Sequence, residues 1–327
     1  MKRIGNLYSK IYEMDNLVLA DKIASRGKSR QYGVRNHRKN PEANLLLLQQ
    51  LIKDKAYTTS TYKTFTLMKP KVREVFCLPY FPDRIAHHAI MNVLKPIFNA
   101  SFTADTYSCI EGKGTHALSF ALRKALRDVP GTTYCLKLDI RKFYPSIDHD
   151  ILKALLRRKF KDNDLLWLLD GIIDSADGVP IGNYLSQYFA NFYLSGFDHW
   201  IKEQKQVPYY FRYKDDMVFL SDSKEKLHQL LADIKQYLHD HLKLTLKSNF
   251  QIFPVAARGI DVCGYVHFHT HVLLRKTIKK TFARRLSRFF YWEVIAAYYA
   301  WAKHCNSKKL LTKLLYDKIQ RPRNIAA

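Results

Sequence analysis

Apolar residues along this chain recur in two rhythms, a spacing of three to four and a strict alternation, and the changes of rhythm mark its elements. A helix begins near Pro41 and carries Leu45, Leu48, Leu51 and Ile52 on one face. Residues 59–66 and 72–78 alternate and predict two strands. Residues 136–139 predict an apolar strand that ends in an acid and runs into a tight aromatic turn with Phe143, Tyr144 and Pro145. Ile151, Leu152, Leu155 and Leu156 form a helical stripe. A Pro/Gly loop, residues 178–183, leads into a helix patterned by Phe189, Phe192, Tyr193, Phe197 and Trp200. Residues 209–220 predict a hairpin, and Ser223 an N-cap for a helix carrying Leu227, Leu230, Leu231, Ile234 and Leu238. Residues 242–253 and 260–268 predict two more strands. From Lys276 the pattern turns helical, with Phe282, Leu286 and Phe289 inward and a basic outer face; Tyr298, Tyr299 and Trp301 are expected in the core.

Composition narrows the partners. The chain has 327 residues and 47% hydrophobic content, enough for more than one lobe, and its 12 Gly and 11 Pro form no low-complexity linker. Lys and Arg number 54 against 29 acids, a formal charge of +25. Such an excess repels itself unless a polyanion neutralises it, so nucleic acid is the expected partner, held in a salt-dependent way. An anionic membrane is the weaker alternative, because no apolar run approaches the ~18 residues of a membrane span. The first residues lack the apolar core of a secretory signal, and five scattered cysteines suit reduced thiols in a cytoplasm. His267, His269 and His271 would share one face of a strand; a polar face is expected there, and a metal site lacks a fourth ligand.

The chemistry starts at Asp215 and Asp216, which sit between Tyr209, Tyr210 and Phe211 on one side and Met217, Val218, Phe219 and Leu220 on the other. A bare Asp-Asp pair is ordinarily a solvated turn. Held at the edge of a core, adjacent carboxylates repel, and folding alone gives no reason for them. Divalent cations would give one, because Mg²⁺ takes oxygen ligands and keeps substrate phosphates as others. Asp139 likewise ends an apolar strand.

Residues 136–148, 178–187 and 213–216 resemble, in order and spacing, motifs A, B and C of reverse transcriptases. Residues 69–73 and 83–89 resemble the fingers motifs, residues 112–117 the next one, and Gly264-Tyr265 the primer-grip turn. Motif B departs from the usual Gln-Gly-x-x-x-Ser-Pro: Ile181 stands for Gln and Gln187 for Pro. That departure, with residues 77–84 and 300–304, is similar to the enzymes of diversity-generating retroelements, within the group II intron-like bacterial superfamily.

The resemblance implies an α+β right-hand polymerase with fingers, a palm bearing an antiparallel sheet, and a helical thumb. It assigns residues 1–88 to the fingers with a basic N-terminal segment, 89–149 to the first palm part and 150–180 to a fingers/palm insertion. Residues 181–267 form the second palm part and 268–327 the thumb. It implies two Mg²⁺ ions, with Mn²⁺ as a substitute, held by Asp139, the Ile140 carbonyl and Asp215, with Asp216 in support. Lys71, Arg73, Tyr144, Ile181, Gly182, Gln187 and Lys247 fall at nucleotide-binding positions, Tyr144 as a sugar gate in place of a plain core tyrosine. Lys276, Lys279, Lys280, Arg284, Arg285 and Arg288 would grip the duplex, the bland alternative being a solubilising face. The implied activity is error-prone, adenine-mutagenic DNA synthesis on template RNA from deoxynucleoside triphosphates. The implied partners are that RNA, the RNA/cDNA duplex and a basic pentameric accessory variability protein. The alternatives are another short bacterial reverse transcriptase, group II intron-like or retron, and a non-catalytic RNA-binding protein on the same scaffold.

Overall fold

The computed structural model describes residues 3–68, 72–288 and 291–319. The chain divides into two compact units, one of Met1–Ala104, Ile140–Gln204 and Lys235–Thr245, the other of Asp105–Asp139, Lys205–Ile234 and Leu246–Ala327.

The first unit is mainly helical. Helices Met14–Ala24, Pro41–Lys53, Ile85–Asn99 and Tyr184–Tyr193 pack through their apolar stripes, with Leu17, Leu48, Ile52, Ile90 and Leu94 fully buried. Phe98 is ringed by Phe160, Tyr188, Phe189 and Phe192, with ring centroids 5.2 to 6.4 Å apart. Strands β1 (Lys63–Leu67) and β2 (Arg73–Cys77) form an antiparallel hairpin. Both are shorter than the alternation predicts. Buried Asp83 accepts from the Ser60 amide (3.0 Å) and the Tyr57 hydroxyl (2.9 Å), which draws the start of that run away from a ladder.

The second unit is built on an antiparallel sheet ordered β4-β5-β3-β6, with β3 Tyr134–Asp139, β4 Tyr209–Tyr213, β5 Asp216–Ser221 and β6 Gln251–Pro254. Helix Thr115–Ala125 covers it, burying Leu118 and Leu122 with Cys135, Phe211, Val218 and Phe253. A three-stranded sheet follows, β7 (Ile260–Val262), β8 (Tyr265–His267) and β9 (Val272–Leu274), then helices Lys276–Arg288, Trp292–Ala302 and Lys308–Ile319.

Three expectations fail for local reasons. Residues 242–253 are not one strand: helix Lys224–Leu242 runs through Leu242, Lys243 is left-handed (φ 49°), and the Leu244 amide bonds back to the Leu238 carbonyl (2.9 Å). Residues 260–268 are two strands. Cys263 (φ 48°) and Gly264 (φ 87°) turn the chain between them, and a Cβ on Gly264 would collide with the Trp301 ring. Tyr299 is 55% exposed, where the pattern predicts core packing. No described helix is long and apolar enough to cross a membrane.

Candidate active site

Strand register gathers the acids. Asp139 ends β3 directly opposite Asp216, and Tyr213 ends β4 opposite the same Asp216. Lys214 and Asp215 make the two-residue turn between β4 and β5, with Lys214 left-handed (φ 59°). Three carboxylates thus converge at one end of the central sheet, as the sequence predicts. Burial, and then the charge of Asp139, pushes Asp215 up to about 6. Burial also raises Asp216, offset in part by Lys137.

One oxygen of Asp139 pairs with the Lys247 ammonium, and the Lys247 amide donates to the Asp139 carbonyl (2.9 Å). The other, Asp139 Oδ1, is buried with no hydrogen-bond partner. A buried carboxylate oxygen left bare beside two further acids is a donor set suited to a hard divalent cation. No group of three or more His, Cys, Asp or Glu is preassembled as a cage among the described residues. The Ile140 side chain is fully buried, so the carbonyl is the group that residue has to offer. Lys247, which the resemblance assigns to the nucleotide, is here the ion-pair partner of Asp139.

The nucleotide-binding candidates Arg73, Tyr144, Ile181, Gly182 and Gln187 belong to the other unit. Tyr144 is half-buried, edge-on to Phe143 with centroids 5.5 Å apart, and its carbonyl accepts from the Val179 amide (2.9 Å). The Ile181 carbonyl accepts from the Phe76 amide (2.8 Å). Gly182 has φ 130°, and a Cβ there would run into the Phe76 carbonyl, so this position tolerates glycine alone. Arg73 is exposed on β2. Lys71 lies outside the described residues.

Gln187 lines a cavity of about 260 Å³ with Lys28, Arg84, His87, His88 and Tyr184, and no acid lines it. Burial lowers His87 to about 3 and His88 to about 4, with Arg84 and Lys28 adding to the effect, so both rings are neutral near pH 7. His88 stacks on Tyr184 (4.6 Å), and His87 Nε2 is buried without a partner. The fingers resemblance of residues 83–89 does not announce this cationic cavity; its members come from three distant segments.

Lys276, Lys279, Lys280, Arg284, Arg285 and Arg288 are all exposed on their helix, while Phe282 and Leu286 are buried beneath them. Phe289 lies outside the described residues. The histidine trio does not share one strand face: only His267 lies on β8, where it is buried against Ser119 Oγ (2.7 Å) and held near 4 by burial, while His269 bonds to Thr132.

Residues 52–251, more than half of the chain, match the family described as reverse transcriptase (RNA-dependent DNA polymerase). An uncharacterized 91 kDa protein in the cob intron of Schizosaccharomyces pombe is 28% identical over 47% of this chain and 20% of its own length. The group II intron-encoded protein LtrA of Lactococcus lactis is 23% identical over 62% of this chain and 34% of its own. The chain therefore spans only a fifth to a third of these two relatives. The telomerase of Candida albicans, solved in complex with the TWJ fragment of telomeric RNA, aligns with TM-score 0.51 and 11% identity. That alignment covers 71% of this chain and 51% of that one, a likeness of fold: α+β, right-hand polymerase.

Proposed function

The chain belongs to the reverse transcriptase (RNA-dependent DNA polymerase) family, and from that premise we propose that it copies an RNA template into complementary DNA. One observation carries the reading: Asp139, Asp215 and Asp216 are brought to one end of the β4-β5-β3 sheet by register, at an electrostatic cost that folding does not repay. Two Mg²⁺ ions, or Mn²⁺ in their place, held by Asp139 and Asp215 with Asp216 and the Ile140 carbonyl in support, would supply activation of the primer hydroxyl and neutralisation of the leaving pyrophosphate. The protein's own groups do the rest. Lys247 offsets the charge of the acids until substrate arrives. Lys71 and Arg73 steady the triphosphate. Tyr144 excludes a 2′-hydroxyl. Lys28 and Arg84, with no acid beside them in their cavity, hold RNA phosphate, and the basic face of Lys276–Arg288 grips the RNA/cDNA duplex.

The finer proposal is that the enzyme serves a diversity-generating retroelement, miscopies template adenines, and works with a basic pentameric accessory protein. Ile181 and Gln187 support this, since they replace the residues usual in intron-type enzymes. The likeness to LtrA over 62% of the chain favours the second reading, a group II intron-like enzyme of ordinary fidelity. The test is primer extension on an adenine-rich RNA with Mg²⁺, with and without the accessory protein, followed by sequencing of the product. DNA with errors concentrated opposite adenine is expected; accurate DNA selects the second reading. Asp215→Asn should reduce synthesis by more than the roughly 100-fold typical of losing an outer-sphere partner, with RNA binding intact. A variant that still synthesises normally removes the active-site assignment.

A further inference from the structure

Arg212 is the largest fully buried side chain among the described residues, at 0% exposure, and it lies on β4 one residue before the strand's end at the catalytic turn. A cation of that size in an apolar strand is expensive. Desolvating an ion is costly, and an apolar side chain of similar volume often serves stability as well or better. Its cross-strand neighbour Met217 is itself fully buried, so an apolar residue would match its surroundings. What the arginine adds over such a side chain is the geometry of its fork.

Its contacts use that fork. Nη1 donates to the Lys214 carbonyl (3.0 Å) and Nη2 to Thr106 Oγ1 (3.4 Å). Thr106 is fully buried, and its segment is laced to the same residue by backbone: the Arg212 amide donates to the Asp105 carbonyl (2.9 Å), and the Tyr107 amide to the Arg212 carbonyl (3.0 Å). The guanidinium fork thus ties the turn to a rigid neighbour. Lys214 needs that tie twice over. A non-glycine residue held left-handed is strained. Asp215 follows immediately, next to Asp216 and at the strand end that carries Asp139, so like charges press on the turn.

We infer that Arg212 is a positioning residue for the polymerase reaction, holding the Lys214 carbonyl so that the Asp215 carboxylate stays beside Asp139, ready for a divalent cation. This rests on the polymerase reading above. A fork that bridges two acceptors is peculiar to arginine; lysine keeps the charge but presents its donors at a single point.

Arg212→Lys and Thr106→Val test it. Three quantities are measured: the Mg²⁺ concentration for half-maximal synthesis, Mn²⁺ binding to the free protein by electron paramagnetic resonance, and amide hydrogen exchange at residues 214–216. For Arg212→Lys the Mg²⁺ requirement should rise about tenfold, the loss of one charge-assisted hydrogen bond. Mn²⁺ affinity should fall alongside it and turn exchange should accelerate, with template–primer affinity within about twofold of wild type. Thr106→Val should shift all three the same way by less. Unchanged metal dependence and unchanged exchange in both variants overturn the inference. So does a loss of RNA binding that matches the loss of synthesis, which marks a merely structural arginine. If Arg212→Lys does not fold, Thr106→Val decides by the same readings. If the wild-type protein makes no DNA, the polymerase reading falls, while Mn²⁺ binding and exchange still judge Arg212.

Discussion

Replacing Lys247 by Met tests the electrostatics of the acid cluster directly. The side chain pairs with Asp139, and the two are 32% and 25% exposed. The Lys247 amide bond to the Asp139 carbonyl survives the substitution, so the backbone stays anchored. The cost of the substitution lies between that of a surface pair, about 0–1 kcal/mol, and that of a broken buried pair, about 3–5 kcal/mol; partial exposure places it at ~1–2 kcal/mol. In EDTA the variant should melt roughly 2–4 °C below wild type. Mg²⁺ should reverse the order of response. With Lys247 gone the site is more negative and Asp139 has no competing cation, so Mg²⁺ should bind about tenfold more tightly. Tenfold in affinity is about 1.4 kcal/mol of added stabilisation at saturation, close to the cost. The two proteins should therefore melt together in excess Mg²⁺ and apart without it. The assay is thermal unfolding across a Mg²⁺ titration, with isothermal calorimetry for affinity. Equal Mg²⁺ increments in the two proteins would refute the reasoning, because Lys247 would then not be standing in for a metal.

Two more expectations follow from placed residues. Tyr144→Ala should raise ribonucleotide incorporation relative to deoxynucleotide, measured by paired single-nucleotide extensions; an unchanged ratio returns Tyr144 to a packing role against Phe143. Changing Lys279, Lys280, Arg284 and Arg285 together to Gln should weaken template–primer binding and flatten its salt dependence, by about 0.7–0.9 in log–log slope for each phosphate that no longer meets a cation. An unchanged slope would make this exposed face a solubilising one.

The three acids were legible because the apolar runs that end at Asp139 and flank Asp215 and Asp216 predict strands that stop at those acids, and the register sets Asp139 opposite Asp216. Arg212 was visible as a charge in an apolar strand, but its meaning depended on Thr106, more than a hundred positions away, which no local pattern announces. The cavity around His87 has the same character. Residues 242–253 misled for the opposite reason. Leu242, Leu244 and Leu246 alternate well, yet Leu244 is buried as the closing contact of a helix end, where a left-handed Lys243 outweighs β-propensity.

The motif B loop separates what its backbone does from what its side chain does. At Ile181 the carbonyl is taken by the Phe76 amide, and at Gly182 there is no room for a Cβ, so the path of the chain is fixed whatever side chain position 181 carries. The side chain is half-buried and without polar atoms. Ile181→Gln therefore adds an amide to an unchanged frame, and any change in copying reads that amide. A net hydrogen bond of ~1 kcal/mol to a correctly paired substrate is about fivefold in discrimination. On the adenine-mutagenic reading proposed above, misincorporation opposite template adenine should fall by about that factor, with total synthesis retained and the proposed accessory protein present in both reactions. Sequencing of complementary DNA from one adenine-rich template measures it. An equal or higher adenine error rate in the variant would take the proposed infidelity away from Ile181 and leave it to other groups of the nucleotide site or to the proposed partner protein.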